Sequence, residues 1–270
     1  MNGAKTDSSS HVLFLSHGGG PLPLLGDPGH VEIGATLQKI SAAIEKPSAI
    51  IVISAHWEEE QPTITQAAQP ALLYDYYGFP EESYEITYPA PGNPELASKV
   101  YSVLQVHDLK PKLDAIRNFD HGLFVPLKIM YPQADIPCIQ VSLVKTLDPL
   151  THIQIGNALR DLEQDNLLVI GSGFSFHNIK AFFTPPTAET QAMNTAFEQW
   201  LIDTCTDTTL DEKQRTTRFI DWQAAPFARY CHPRGEHLLP LHVCYGVAQR
   251  PCREVYELNI LGRSASMYLW

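Results

Sequence analysis

Short runs of β-branched and aliphatic residues alternate along this chain with longer segments in which apolar residues recur every three or four positions. The short runs are typical of strands buried on both faces of a sheet, and the longer segments are typical of helices that cover such a sheet. This alternation favours a single-domain α/β fold with a mostly parallel central sheet flanked by helices. The predicted strands are residues 11–16, 49–54, 136–143, 167–171 and 255–261, and the predicted helices are residues 31–45, 94–106, 150–163 and 187–205.

Composition narrows the class of protein further. The 270 residues are 44% hydrophobic and 18% charged, which supplies a core and excludes a disordered chain. We predict a flexible N-terminus over residues 1–10 and one domain over residues 11–270. The net charge of −11 argues against nucleic-acid binding, and no apolar run approaches the roughly 18 residues that span a bilayer. Five cysteines without C-x-x-C spacing, and an N-terminus without an apolar signal core, predict a cytoplasmic protein with reduced thiols.

Three histidines lie just beyond the ends of predicted strands. His17 and His56 follow the first two strands, and His177 lies a few residues beyond the fourth. Because ligands bind at the carboxyl ends of strands in an open parallel sheet, these three side chains are expected to converge. The glycines at 18–20 and 171–173 permit unusual backbone angles and close approach of a ligand.

Two more histidines fit the same pattern. His121 precedes a helix-like run at residues 123–130, and His237 opens a second apolar helix, on which the neighbouring Glu236 is expected to point about 100° away. Clustered neutral imidazoles are typical of sites for Zn or Fe(II), and their second ring nitrogens need acceptors. The candidate acceptors are Asp75, Asp120, Glu58 and Glu236. The histidines interpreted as packing or surface residues are His11, His30, His107, His152 and His242.

Seven motifs, in their order and spacing, resemble the class III extradiol ring-cleavage dioxygenase superfamily in its DOPA 4,5-dioxygenase-like branch. They cover almost the whole chain. The motifs are S-H-G-G-G-P at 16–21, S-A-H-W-E at 54–58, Y-D-Y-Y-G-F-P at 74–80, Y-P-A-P-G at 88–92, D-H-G-L-F-V-P-L at 120–127, G-S-G-F-S-F-H-N at 171–178 and H-P-R-G-E-H-L-L-P-L at 232–241.

The resemblance implies one divalent metal at the carboxyl ends of the strands, held by His17, His56 and His237. It implies that His177 is the active-site acid/base, close enough in some members to count as a fourth ligand. Fe(II) is the metal expected for dioxygenase activity. An all-histidine set also suits zinc, so the isolated protein is expected to accept that metal as well. Protocatechuate-type relatives have two histidines and a carboxylate instead.

The implied reaction opens the ring of a substituted catechol, DOPA-like or caffeate-like, with O2 and gives a muconic semialdehyde. The resemblance places His121 over this substrate. Aromatic side chains suit a planar ligand, and we predict that Tyr76 and Phe124 contact it. Phe124 stands where the family often has Trp, which leaves the particular catechol open. His232, on the loop before His237, is predicted to reach the same pocket.

Two other classes of function compete with this one. A zinc-dependent hydrolase would use the same histidines to activate water, and a non-catalytic metal-binding protein would keep the fold without turnover. The predicted partners are a small catechol and O2, with neither nucleic acid nor a membrane, and the sequence leaves the oligomeric state open. Two extra histidines beside the predicted ligands favour the dioxygenase, because a structural metal site does not need them.

Overall fold

An eight-stranded sheet forms the centre of the computed structural model, which describes residues 10–270. The predicted flexible segment 1–10 lies, apart from Ser10, outside the described residues. In spatial order the strands run β4-β3-β5-β2-β6-β1-β8-β7. The strand bounds are β1 His11–Ser16, β2 Ala49–Glu59, β3 Thr63–Thr65, β4 Lys112–Asp114, β5 Cys138–Val144, β6 Leu167–Gly173, β7 Glu254–Ile260 and β8 Arg263–Leu269.

The four central strands, β5, β2, β6 and β1, are parallel. They are apolar along nearly their whole length because helices cover both faces of the sheet. Alternate residues of β2 point to opposite faces, so that Ile50 and Val52 belong to one hydrophobic core while Ile51 and Ile53 belong to the other. The mostly parallel α/β sheet predicted from the sequence is confirmed.

Nine helices occur within residues 10–270. Their first turns show the expected capping chemistry: the Thr187 side chain accepts from the backbone N–H of Thr190, and Asn93 and Asp148 cap two other helices in the same way. The helix bounds are α1 Val31–Ala43, α2 Pro94–Val106, α3 His121–Met130, α4 Pro149–Leu159, α5 Ile179–Phe182, α6 Ala188–Thr206, α7 Glu212–Ile220, α8 Ala228–Cys231 and α9 Leu239–Ala248.

The structure adds three strands to the five predicted ones. β3 and β4 are three residues each, and β8 carries Arg263 and two serines, so none of them forms an apolar run. β8 pairs antiparallel with β1 and β7, and a turn with positive φ at Leu261 and Gly262 joins β7 to β8. Within residues 10–270, no helix is both long enough and apolar enough to cross a membrane.

Candidate active site

His17 is the first residue after β1, and its position is fixed from both sides. Its backbone N–H donates to the carbonyl oxygen of Gly173 on the neighbouring strand at 3.0 Å. The chain then turns sharply at Gly18, whose φ of +86° suits glycine. The next amide, that of Gly19, donates to Nε2 of His30 at 2.9 Å, and Asp27 holds the other nitrogen of that ring at 2.6 Å. His30, predicted as a packing residue, therefore shapes the glycine turn behind the site.

His56 lies in a bulge of β2. The register between β2 and β5 pairs Ser54 with Ser142 and then Glu58 with Leu143, so residues 55–57 have no counterparts on β5. Extra residues of this kind bend a strand and re-aim a side chain. The bulge gives His56 a half-buried position facing the site, whereas the predicted strand simply ended at residue 54.

His237 reaches the sheet edge because β6 ends in a glycine. The carbonyl oxygen of His237 accepts from the N–H of Phe174, the residue that follows β6, at 2.9 Å. A Cβ on Gly173 would lie only 2.1 Å from that oxygen, so any larger residue would push the His237 segment away. The helix α9 begins at Leu239, two residues later, and the expected helical separation of Glu236 and His237 is therefore wrong.

His17, His56 and His237, the three ligands that the resemblance implies, lie close together. Nε2 of His17 lies 3.0 Å from Nε2 of His56, and one nitrogen of each of His17, His56 and His237 lies within 4.8 Å of the others. Burial, together with the surrounding imidazoles, holds all three pKa values well below the usual histidine value. The rings are therefore neutral at pH 7, which is the form that binds a metal.

Hydrogen bonding fixes the tautomer of His17. The hydroxyl of Ser172 donates to the carbonyl oxygen of Gly122 at 2.5 Å, so its oxygen accepts from Nδ1–H of His17 at 3.0 Å. Nε2 of His17 is then unprotonated and presents its lone pair to the other imidazoles. Ser172 was missed in the sequence, where the glycines around it were the only visible signal.

Two carboxylates orient the remaining imidazoles, and each contacts a pair of them. Glu236 Oε1 lies 3.1 Å from Nδ1 of His237 and 3.2 Å from Nδ1 of His177. Burial alone would raise the pKa of Glu236, but the hydrogen bond with His177, a backbone hydrogen bond and the nearby His177 and Arg234 together lower it. This carboxylate therefore stays ionised and holds Nδ1–H on both rings.

Asp75 faces two imidazoles on the other side of the site and forms a hydrogen bond with one of them, that of His121. Its Oδ1 lies 2.8 Å from Nδ1 of His121, and its Oδ2 lies 3.6 Å from Nδ1 of His56. Burial alone would raise its pKa, but hydrogen bonds from His121 lower it to about 2. Of the other candidate acceptors, Asp120 instead accepts from Ser54. Glu58 pairs with Arg234.

A cavity of about 430 Å³ opens over the imidazoles. Tyr76 lines it, but Phe124 and His232 do not. Phe124 is fully buried behind the rings of Tyr74 and Tyr76. His232 is also fully buried, with Nε2 2.7 Å from the carbonyl oxygen of Ser175. Neither side chain reaches this cavity, so the predicted substrate contacts of Phe124 and His232 are corrected. The cavity is lined by His17, Gly18, Gly19, Gly20, Leu22, His56, Tyr76, Phe79, His121, Phe174, His177, Ile179, Phe182, Phe183, His237 and Leu261.

The histidines interpreted as packing or surface residues lie outside this cavity. His152 is buried between the carbonyl of Asp148 and the N–H of Val144. His242 is buried against the carbonyls of Leu238 and Phe219. His107 pairs with Asp161 at the surface, His11 is half-buried in β1, and His30 contacts the glycine turn as described above.

Fold and site together describe an α/β protein with a histidine cluster able to hold a metal ion. Residues 12–265 match the family described as the catalytic LigB subunit of aromatic ring-opening dioxygenase. The chain is similar to dioxygenase tasH of Hapsidospora irregularis, with 39% identity over 96% of this chain and 85% of that protein. It is 37% identical to 4,5-DOPA dioxygenase extradiol of Beta vulgaris, over 90% of this chain and 88% of that one.

A similarity to a solved structure agrees with these matches. The crystal structure of the uncharacterized protein JW3007 from Escherichia coli K12 superposes with a TM-score of 0.76 at 25% identity, covering 97% of this chain and 99% of that one. This chain therefore belongs to the LigB family of class III extradiol dioxygenases, a family of metal-dependent, ring-cleaving enzymes. The resemblance inferred from the seven motifs is confirmed.

Proposed function

We propose that this enzyme opens the ring of a substituted catechol beside its two hydroxyls, incorporating both atoms of O2 to give a muconic semialdehyde. The observation that supports this most directly is the convergence of five imidazoles, those of His17, His56, His121, His177 and His237, on one cavity with aromatic walls. Relatives named 4,5-DOPA dioxygenase extradiol support a catechol substrate. We further propose that residues 11–270 form the catalytic domain, and that five free, buried cysteines reflect a cytoplasmic location.

We assign His17, His56 and His237 as the ligands of one divalent metal. Two other groups, His56 with Asp75 and His121, and His177 with Glu236 and His237, also bring donor atoms within 4.8 Å. In both of those groups the carboxylate is already engaged with imidazole Nδ1 atoms, which favours the first set. We propose Fe(II), which would activate O2 by electron transfer and act as a Lewis acid toward the catechol oxygens.

His177 is assigned as the acid/base. Glu236 holds its Nδ1–H, so the other ring nitrogen is left to take a proton from a catechol hydroxyl and return it to the product. Imidazole is the side chain suited to this exchange near neutral pH. The ring of His177 stacks on that of His237 with centroids 3.4 Å apart, which keeps the acid/base beside a proposed ligand.

His121 is assigned to bind an oxygen of the substrate. Asp75 accepts from both its backbone N–H and its Nδ1, which fixes the orientation of the ring at the start of α3. Its centroid lies 3.9 Å from that of His56 and 5.7 Å from that of Tyr76. A planar ring seated against Tyr76 would therefore lie beside both His121 and the proposed metal ligands.

Metal reconstitution tests the proposed reaction. Metal-free protein is loaded with Fe(II) or with Zn under anaerobic conditions and is then mixed with L-DOPA or a small panel of catechols in oxygenated buffer. We expect oxygen uptake in proportion to catechol consumed, with the visible absorbance of a semialdehyde, from the iron form alone. Turnover without oxygen uptake, or no reaction of any catechol with the iron form, would overturn the proposal.

The role of His177 has its own test. We expect His177→Ala to lower kcat by at least about a hundredfold, since positioned acid/base catalysis contributes about 10²–10⁴-fold. The matched control is His107→Ala, because His107 lies at the surface away from the cavity. His242 is unsuitable as a control since it is fully buried between two carbonyl groups. Equal losses in both variants, measured by oxygen uptake, would refute the assignment.

A further inference from the structure

A second cavity, of about 540 Å³, adjoins the catechol cavity. His177 and Ile179 line both, so the two cavities meet at the proposed acid/base. The side chains that line the two cavities differ in charge. In the described residues, the lining of the catechol cavity contains no Asp, Glu, Lys or Arg. The second cavity is lined by three cationic side chains, Lys180, Arg234 and Arg263, and by one anionic side chain, Glu236.

Arg263 is the unusual member of this set. Its side chain is 2% exposed, and its Nη2 donates to the carbonyl oxygens of Ala181 and Thr184 at 2.6 and 3.0 Å. Among residues 10–270, its Nε and Nη1 have no hydrogen-bond partner and no carboxylate lies within 4.0 Å of the guanidinium. A guanidinium stays charged in proteins, so this cavity has a buried cation without a counter-ion.

The other two cations differ in how far they are neutralised. Arg234 forms two hydrogen bonds of 2.5 Å with the Glu58 carboxylate and lies 3.5 Å from Glu236. Lys180 is exposed at the rim and forms no ion pair with any described residue. The uncompensated charge of the cavity therefore comes from Lys180 and Arg263. This positive region is set in a protein with a net charge of −11, which makes it a local attractor for anions.

We propose that the second cavity binds a carboxylate on the side chain of the catechol, while the ring occupies the first cavity. This inference rests on the proposed function, because it assigns a place to one part of that substrate. Lys180 contacts the carboxylate at the rim, and Arg263 supplies a fixed positive charge in the wall. A carboxylate here also provides the counter-ion that the buried guanidinium lacks. Catechols with an acidic side chain are then the preferred substrate class.

A pair of matched ligands tests the proposal. 3-(3,4-Dihydroxyphenyl)propionate and its uncharged amide have nearly the same size, and 4-methylcatechol provides the ring with no side-chain acceptor. Dissociation constants are measured anaerobically by calorimetry on the iron-loaded enzyme, and KM is measured by oxygen uptake. We expect the acid to bind about tenfold more tightly than the amide, as for a charge-assisted contact. We also expect the preference to weaken as NaCl is raised.

Substitutions at Lys180 test whether the preference for the acid over the amide arises in the second cavity. Lys180→Gln is expected to reduce the preference for acid over amide about three- to fivefold, and Lys180→Glu to reduce it further. Lys213→Gln, at an exposed lysine of α7 outside the cavity, is the matched control. Arg263→Gln tests the buried charge, with thermal unfolding measured alongside because this residue also holds two carbonyl groups.

The outcomes are distinguishable. A reduced preference in both Lys180 variants, with no change in Lys213→Gln, supports the carboxylate site. Equal affinity for acid and amide in the wild-type enzyme would overturn it and leave ring cleavage untouched. If no catechol is turned over, the proposed function fails, and the anaerobic affinities of acid and amide still decide whether the second cavity binds an anion.

Discussion

At the scale of single residues, two carboxylates organise four of the five cavity imidazoles. Asp75 contacts His121 and His56, and Glu236 contacts His177 and His237. Each carboxylate therefore orients one proposed metal ligand and one proposed substrate-facing histidine. Partners of this kind fix ring orientation and tautomer and raise the basicity of the ligand. Metal affinity and substrate chemistry are thus set by the same side chains.

Replacing Asp75 should weaken both metal binding and catalytic activity. We expect Asp75→Asn to lower metal affinity and activity by roughly 10–100-fold, because the amide lacks the charge that holds Nδ1–H of His121 and faces Nδ1 of His56. Competition with a chromogenic chelator measures the affinity. Asp161→Asn is the control, since the Asp161 carboxylate pairs with the surface residue His107, away from the cavity. Unchanged affinity in Asp75→Asn would show that the carboxylate does not orient a ligand.

A buried acid away from the cavity predicts a pH effect on stability. Glu198 of α6 accepts from Ser266 at 2.7 Å, and burial raises its pKa to about 7. Since the folded state keeps this proton longer than the unfolded state, the contribution of Glu198 is complete below about pH 4.5 and is lost as pH rises through about 7. Glu198→Gln should equal wild type near pH 4.5 and exceed it above pH 7, by at most about 3 kcal/mol.

Urea unfolding of the metal-free protein at several pH values measures this difference. A variant that differs from wild type by the same free energy at pH 4.5 and at pH 8 would contradict a raised pKa of Glu198. Comparing the two proteins removes the contribution of the buried histidines, because these are present in both.

At the scale of elements, the end of β6 determines where His237 lies. Gly173→Ala would place a Cβ against the His237 carbonyl oxygen, so we expect destabilisation of about 1–3 kcal/mol and weakened metal binding. Gly34→Ala, in α1, has no atom within 4 Å of the added Cβ and should stabilise the protein by about 0.5–1 kcal/mol. Thermal unfolding and metal titration compare the two variants. A Gly173→Ala protein with normal metal affinity would show that the segment can move without consequence.

The sequence predicts the central elements because their burial is uniform. Continuous apolar runs identify the central strands β1, β2, β5 and β6, and the histidines at their ends predict the site. The edge strand β7 is identified instead by a shorter run in which buried and exposed residues alternate. The sequence does not predict β8, since that strand takes its place by pairing with β1 and β7 rather than by an apolar pattern. Three further features depend on contacts between residues distant in sequence, which the sequence does not reveal. They are the bulge at His56, the pairing of Asp75 and Glu236 with two imidazoles each, and the burial of Phe124 outside the cavity.

At the scale of the whole molecule, the five cysteines are all free and buried. Burial raises the pKa of each thiol, that of Cys252 to about 12, so very little reactive thiolate exists at neutral pH. We expect a thiol reagent such as Ellman's to modify the native protein slowly and to count five thiols after unfolding. Rapid modification of the native protein would show that a cysteine is accessible, and a count below five would show a disulfide.

The five cavity histidines come from positions 17 to 237, so the site is assembled from segments about 220 residues apart. No fragment that lacks the later segments contains the complete cluster. During synthesis, His17 and His56 leave the ribosome long before His237, and the sheet edge that unites them needs β6 in place between β2 and β1. Metal capture is therefore a late step in the life of the nascent chain, and metal content reports on the folding of nearly the whole polypeptide.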